Sequence, residues 1–155
     1  MKKYPRVPPR LVRKFPSNPV FFVTVCTYRR VPLLANVAVN ARFVQFVQQA
    51  YTKYNIAVGR YVIMPDHIHF FVRGPDDFDL GRWMGVLKQF LAKAIPCNKR
   101  PKRLWQRRFF DHVLRSEESY AQKWNYVRDN PVRAGLVAKA EDWPYAGEII
   151  AIDRI

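Results

Sequence analysis

Residues 20 to 28, VFFVTVCTY, are apolar or β-branched at nearly every position, the pattern of a buried strand. From 38 to 54, AVNARFVQFVQQAYTKY, apolar side chains return at Phe43, Phe46, Val47, Ala50, Tyr51 and Tyr54, and this spacing predicts a helix. IAVGRYVIMP and HIHFFVRG then read as two strands broken at Pro65-Asp66, close enough for a hairpin. The clearest helix is LGRWMGVLKQFLAKAI (80 to 95), with Leu80, Trp83, Met84, Leu87, Phe90, Leu91, Ala94 and Ile95 on one stripe. LWQRRFFDHVLR (104 to 115), after the basic loop CNKRPKR, has the content of a fourth strand. A last helix is expected over 116 to 130, with Ser116 as N-cap, glutamates in its first turn and Pro131 as its limit. The order βαββαβ predicts an α+β, ferredoxin-like split βαβ: an antiparallel sheet with helices on one face, followed by a C-terminal helix.

Length and charge then narrow the class. A chain of 155 residues with 49% hydrophobic content is most economically one domain, here 20 to 155, preceded by a basic, proline-rich arm over 1 to 19. The lysines at the start are followed by prolines and arginines where a signal peptide has its apolar segment, so export is not expected. Cys26 and Cys97, with no CxxC, read as reduced thiols of a cytoplasmic protein. No charge-free apolar run approaches the ~18 residues that span a bilayer. Against this ordinary background, 27 Lys+Arg stand over 12 Asp+Glu, a formal charge of +15. Such an excess predicts a polyanionic partner, foremost nucleic acid. Its dispersal along YRR, NKRPKR and QRRFF favours a groove or face over a membrane-surface helix. Arg29, Arg30, Arg107 and Arg108 beside predicted strands, and Lys99, Arg100, Lys102 and Arg103 in the loop, are candidate nucleic-acid contacts. Trp105 and Tyr28 suit stacking on unpaired bases, although core packing is the commoner use of such rings.

The candidate chemistry begins with histidine. Three histidines make a chance His-x-His pair rare, yet His67 and His69 stand one residue apart in a strand and so share a face. That pair can hold one metal ion or simply form a polar patch on a solvated sheet face. His112 and the scattered cysteines give no zinc spacing, whereas two imidazoles with one oxygen ligand suit Mg²⁺ or Mn²⁺ bound also to a phosphate oxygen. An attacking group could be water or a side chain. On the last predicted helix Tyr120, Trp124 and Val127 form the apolar stripe and Tyr126 lies roughly 130° away from it. Asn130, four residues on, falls near the same face as Tyr126. Tyr126 is therefore open either as a surface residue or as a nucleophile.

MPDHIHFFV, followed by LWQRRFFDHVLRSEESYAQKWNYVRDNPVRAGLV and EDWPY, resembles the REP-associated tyrosine transposases, relatives of the single-tyrosine insertion-sequence transposases of the HUH superfamily. The resemblance runs from about Val20 to Tyr145 and combines two separated signatures in the right order. It implies that His67 and His69 are metal ligands, that Asn130 is a third, oxygen-donating ligand, and that Tyr126 is the nucleophile. It also implies cleavage of single-stranded DNA near a hairpin through a 5′-phosphotyrosine, with Mg²⁺ or Mn²⁺ and without ATP. Arg128 and Arg133 are then placed to assist or to contact phosphate. The REP-associated branch implies a monomer in the cytoplasm, associated with the nucleoid when on DNA; its whole-element relatives imply a dimer. Asp66 departs from the asparagine of the family's MPNH form. The alternative class is a domesticated hairpin binder, for DNA or RNA, that has lost its chemistry. An RRM-like RNA binder lacks support, since the aromatic RNP strand pattern is missing.

Overall fold

The computed structural model describes residues 18–152, so nearly all of the basic arm lies outside the described residues. β1 (Val20–Cys26), β2 (Ala57–Ile63), β3 (His67–Arg73), β4 (Phe110–Leu114) and β5 (Ala146–Glu148) form one antiparallel sheet in the order β4-β1-β3-β2-β5. The first four strands thus reproduce the split βαβ arrangement that the element order predicts. The short β5, which carries no apolar run of its own, extends the sheet beyond β2.

Two helices connect the strands on one face. α1 (Val37–Tyr54) is entered through Asn36, whose side chain accepts the Val39 N–H, and ends at Asn55 in the left-handed conformation. α2 (Leu80–Ala92) is capped by Asp79, whose side chain accepts the Arg82 N–H. Their stripes, Val39, Phe43 and Val47 with Trp83, Met84, Leu87 and Leu91, bury against Val23, Val25, Ile68, Phe70 and Val72 of the sheet. Strand alternation sends the intervening residues to the other face, where Phe22 and Phe71 meet Tyr120 and Val127 of α3 (Glu117–Val127). α1 and α2 thus share one face as expected, and the C-terminal α3 lies across the sheet from them. Ser116 caps α3 as expected, its hydroxyl accepting the Ser119 N–H. No helix among the described residues is long and apolar enough to cross a membrane.

Three boundaries differ from the expectation. The fourth strand is only Phe110–Leu114; Trp105 upstream makes a lone bridge to Thr27, and its Nε1–H donates to the Lys88 carbonyl while its ring packs on the core. α2 stops at Ala92, ahead of Ile95. The last helix ends at Val127, and Asn130–Arg133 form a separate single turn, α4, with Pro131 near its start. Proline tolerates that position because its missing N–H would be unpaired there in any case.

Gly59 ties the sheet to α3. β2 shifts register against β3 between Val58 and Tyr61, and a Cβ at Gly59 would stand 2.6 Å from the Tyr120 hydroxyl and 2.8 Å from Ile152. The same hydroxyl accepts the Arg60 N–H at 3.1 Å. Gly59→Ala should therefore push the buried Tyr120 ring off its seat and destabilise the protein by about 1–3 kcal/mol. A urea titration checks this: the midpoint should fall at unchanged slope, and an unchanged midpoint would show that the α3 contact yields without cost.

Candidate active site

The register of β3 sets the site. His67 lies opposite Cys26 and His69 opposite Thr24 of β1, all on the face that carries α3. The two imidazoles meet edge to face with centroids 4.7 Å apart. Each is fixed through Nδ1: that of His67 hydrogen-bonds the Asp66 carboxylate at 2.8 Å, and that of His69 the Thr24 hydroxyl at 2.8 Å. With both Nδ1 atoms engaged, each Nε2 is the ring nitrogen left to meet a ligand, the usual way a neighbouring oxygen orients a metal-binding histidine. His69 also stacks on Phe22 at 5.3 Å.

Burial disfavours the charged form of both rings. It pushes His69 down to about 3, with the charges of His67, Lys123, Arg30 and Arg133 acting in the same direction. His67 is also lowered by burial, which outweighs the attraction of Asp66. For Asp66 burial acts upward, but hydrogen bonds with His67 and Arg30 hold the carboxyl below its ordinary value. The Asp66 carboxylate is thus an orienting partner of His67. Its second oxygen accepts from Arg30 Nε at 2.8 Å, placing a guanidinium beside the histidines.

Arg29 and Arg30 both occupy the left-handed region, each with φ near 56°, a conformation that costs non-glycine residues of order 1 kcal/mol or more. Asp66 and the Cys26 sulfur, 3.1 Å from Arg30 Nη1, hold Arg30 there. Arg29 and Arg103 flank the Tyr28 ring at 5.3 and 4.2 Å. The turn after β1 and the loop before β4 therefore form one cationic cluster continuous with His67.

On α3, Tyr126 is 64% exposed while Tyr120 and Val127 on the neighbouring stripe are buried. Asn130 follows the break in the helix and is brought back towards Tyr126 by Arg133, not by continuous helical spacing. The Arg133 guanidinium lies 4.1 Å from the Tyr126 ring centroid, donates to the Tyr126 carbonyl at 2.6 Å and also to Asn130 Oδ1. The charges of Arg133 and Lys123 reach His69, so the end of α3 and the histidine pair belong to one electrostatic neighbourhood.

The other basic candidates divide by their contacts. Lys99, Lys102, Arg107 and Arg108 are exposed. Arg100 donates through Nε and Nη2 to the Ile95 carbonyl, and Arg128 pairs with Glu141 at 3.0 Å, so each has a structural partner. Thr24 and Lys123 are absent from the sequence-based set. Thr24 could have been found only with the β1–β3 register, and Lys123 only by placing α3 on the histidine face, where its ammonium lies 4.9 Å above Phe22.

Among the described residues no cluster of three or more His, Cys, Asp or Glu side chains could hold a metal. Two imidazoles sharing a face are fewer than the three or four ligands of a tetrahedral zinc site and fit a divalent ion that keeps open positions.

Comparison with known proteins identifies the family of the chain. The family described as "Transposase IS200 like" matches residues 18–130. A REP-associated tyrosine transposase of Escherichia coli K12 is 34% identical over 92 residues, 57% of this chain and about half (52%) of that protein's length. A Haemophilus influenzae protein provisionally given the same name is 28% identical over 145 residues, 86% of this chain and 82% of its own. The solved structure of a REP-associated tyrosine transposase bound to a REP hairpin superposes with a TM-score of 0.68 at 25% identity, over 94% of this chain and 82% of that one. A protein of Deinococcus radiodurans R1, provisionally assigned as a transposase, shares the fold with a TM-score of 0.52 at 18% identity, over 83% of this chain and 97% of its own. The chain belongs to the IS200-like transposase family, and the named relatives it resembles within that family are REP-associated tyrosine transposases.

Proposed function

We propose that the protein cuts and rejoins single-stranded DNA beside a hairpin, with Tyr126 as the nucleophile and His67, His69 and Asn130 as ligands of a divalent ion. The observation that carries this reading is the common face: α3, with exposed Tyr126, packs on the same side of the sheet that presents both histidines. A sheet with its polar pair solvated and its tyrosine elsewhere would suit a simple binder. The hairpin partner is supported by the REP hairpin in the related structure and by the +15 charge of this chain.

The chemistry follows from the chain's own groups. The Tyr126 oxygen attacks the scissile phosphorus; a new P–O bond to tyrosine forms and the bond to the 3′ oxygen breaks, its electron pair leaving with that oxygen. The tyrosine proton is released and the leaving oxygen takes one up, so a 5′-phosphotyrosine and a 3′-OH result. The phosphotyrosine conserves the ester bond, and attack by a 3′-OH reverses the step and reseals DNA without ATP. When bound, Mg²⁺ or Mn²⁺ would draw charge from the phosphate oxygens and align the phosphate. Asp66 and Thr24 hold the imidazoles in the orientation this needs, and Arg133 holds Tyr126 and Asn130 together. Asn130 Oδ1 accepts from Arg133 through one lone pair, which leaves the second for a metal.

The test is incubation with end-labelled hairpin DNA taken from the sequence flanking the gene, with Mg²⁺, Mn²⁺ or chelator, on denaturing gels. A protease-sensitive protein–DNA adduct that forms only with metal is expected. Tight binding with no adduct, over several hairpins and both metals, would replace this reading by a hairpin-binding protein without chemistry.

A further inference from the structure

β4 is the edge strand beside β1, and its pairing fixes where its side chains point. Phe110 lies opposite Thr24 and His112 opposite Phe22, so both share the face that carries His67, His69 and α3. Phe110 is 66% exposed on this face, an unusual position for a phenylalanine. Beside it, an open groove of about 540 Å³ separates β4 from α3, lined by His112, Gln122, Lys123 and Tyr126. Helical spacing explains the wall: Ser119, Gln122, Lys123 and Tyr126 lie three or four residues apart and face the sheet edge together. Phe22 joins the groove to the histidines, since His69 stacks on its ring and the Lys123 ammonium sits over it at 4.9 Å.

We propose that this groove is the subsite for the single-stranded nucleotides flanking the scissile phosphate, with Phe110 stacking on an unpaired base and Lys123 meeting the adjoining backbone phosphate. His112 supplies a hydrogen-bonding edge for the same nucleotide. The Tyr126 ring, a cation and an imidazole line the groove, and the exposed Phe110 ring stands two residues along β4 from His112 on the same face, which matches how single strands are held: bases on π-faces, phosphates on cations. The occupant follows from position. Tyr126 lines the groove, so a strand whose phosphate reaches its oxygen lies at the groove's wall with Lys123 and His112 beside its neighbouring nucleotide, and the groove is too open to enclose a small ligand.

This inference rests on the cleavage reading of Tyr126, and the experiment separates the two. Affinities of wild type, Phe110→Ala and Lys123→Gln are measured for one palindromic DNA hairpin in three forms: bare, with a short single-stranded tail on either side, and with an abasic site in the tail. Wild type should bind the tailed form more tightly than the bare one. Phe110→Ala should lose about 5- to 150-fold on the tailed form, the range for one stacked base, and almost nothing on the bare hairpin, which also reports that the variant is folded. One abasic position should weaken wild type similarly and add nothing further in Phe110→Ala. Lys123→Gln should flatten the salt dependence with the tailed form only. Tail-dependent binding unaffected by either substitution would overturn the groove while leaving the cleavage reading intact. Hairpin binding that is independent of any tail would also overturn it. Failure of wild type to bind hairpin DNA at all would overturn the hairpin reading and the groove with it.

Discussion

Replacing Tyr126 with phenylalanine should abolish the protein–DNA adduct, with cleavage lowered by at least about 10³-fold, while hairpin affinity changes less than about twofold. The structure explains why the two effects should separate. Tyr126 is 64% exposed and off the stripe that buries Tyr120 and Val127, so little packing is lost. Phenylalanine keeps the ring under the Arg133 guanidinium at 4.1 Å, so the contact that ties α4 to α3 survives. Only the attacking oxygen is removed. Surface substitutions of this kind usually change stability by under about 0.5 kcal/mol, so a thermal melt should coincide with wild type. Denaturing gels and a filter-binding titration on one DNA read both quantities. An adduct formed at the wild-type rate would assign the nucleophile to another residue; cleavage at that rate without an adduct would make water the nucleophile.

How much of this was legible beforehand depends on the range of the interaction. The α1 and α2 stripes and the shared face of His67 and His69 follow from local periodicity, and all appear in the fold. Tyr126 was separated from the core by the same arithmetic, because α3 has regular geometry over that stretch. Asn130 shows the limit of that arithmetic: the helix breaks before it, and it rejoins Tyr126 through Arg133, a contact that depends on the α4 turn. The strand expected from 104 was too long because aromatic content also marks a loop that docks Trp105 on the core. β5 is three residues long and holds to β2 by backbone pairing, so it has no side-chain pattern to read. Asp66 stands beside His67 in the sequence, but the support given to His69 by Thr24 needs strand register, and the hold of Arg30 on Asp66 needs a left-handed turn. Neither is a property of a sequence window. The family resemblance supplied roles for the residues but not the contacts that hold them.

Substituting His69 by glutamine should have two effects of opposite sign: metal-dependent cleavage lost by about 10²-fold or more, and greater resistance to acid in the metal-free protein. The first follows from removal of one imidazole ligand from a site that has only two among the described residues' clustered donors. The second follows from burial. In the folded protein His69 is pushed down to about 3 from an ordinary value of 6.5. Between those values the unfolded chain binds a proton there and the folded chain does not, so wild-type stability rises with pH across the window and is lost as pH falls through it. At about 1.4 kcal/mol per unit, the full loss is on the order of 4 kcal/mol by the lower end of the window. Glutamine does not titrate and keeps a polar side chain near the Thr24 hydroxyl, so its share of that slope disappears. Urea unfolding in chelator at a series of pH values from 7 to 4 should show the variant's stability falling less steeply than wild type, even if it starts lower at neutral pH. Parallel slopes would show that His69 is not the buried neutral group the fold makes it, and metal-dependent cleavage at the wild-type rate would remove it from the ligand set. Finding both together would leave the histidine strand as packing alone.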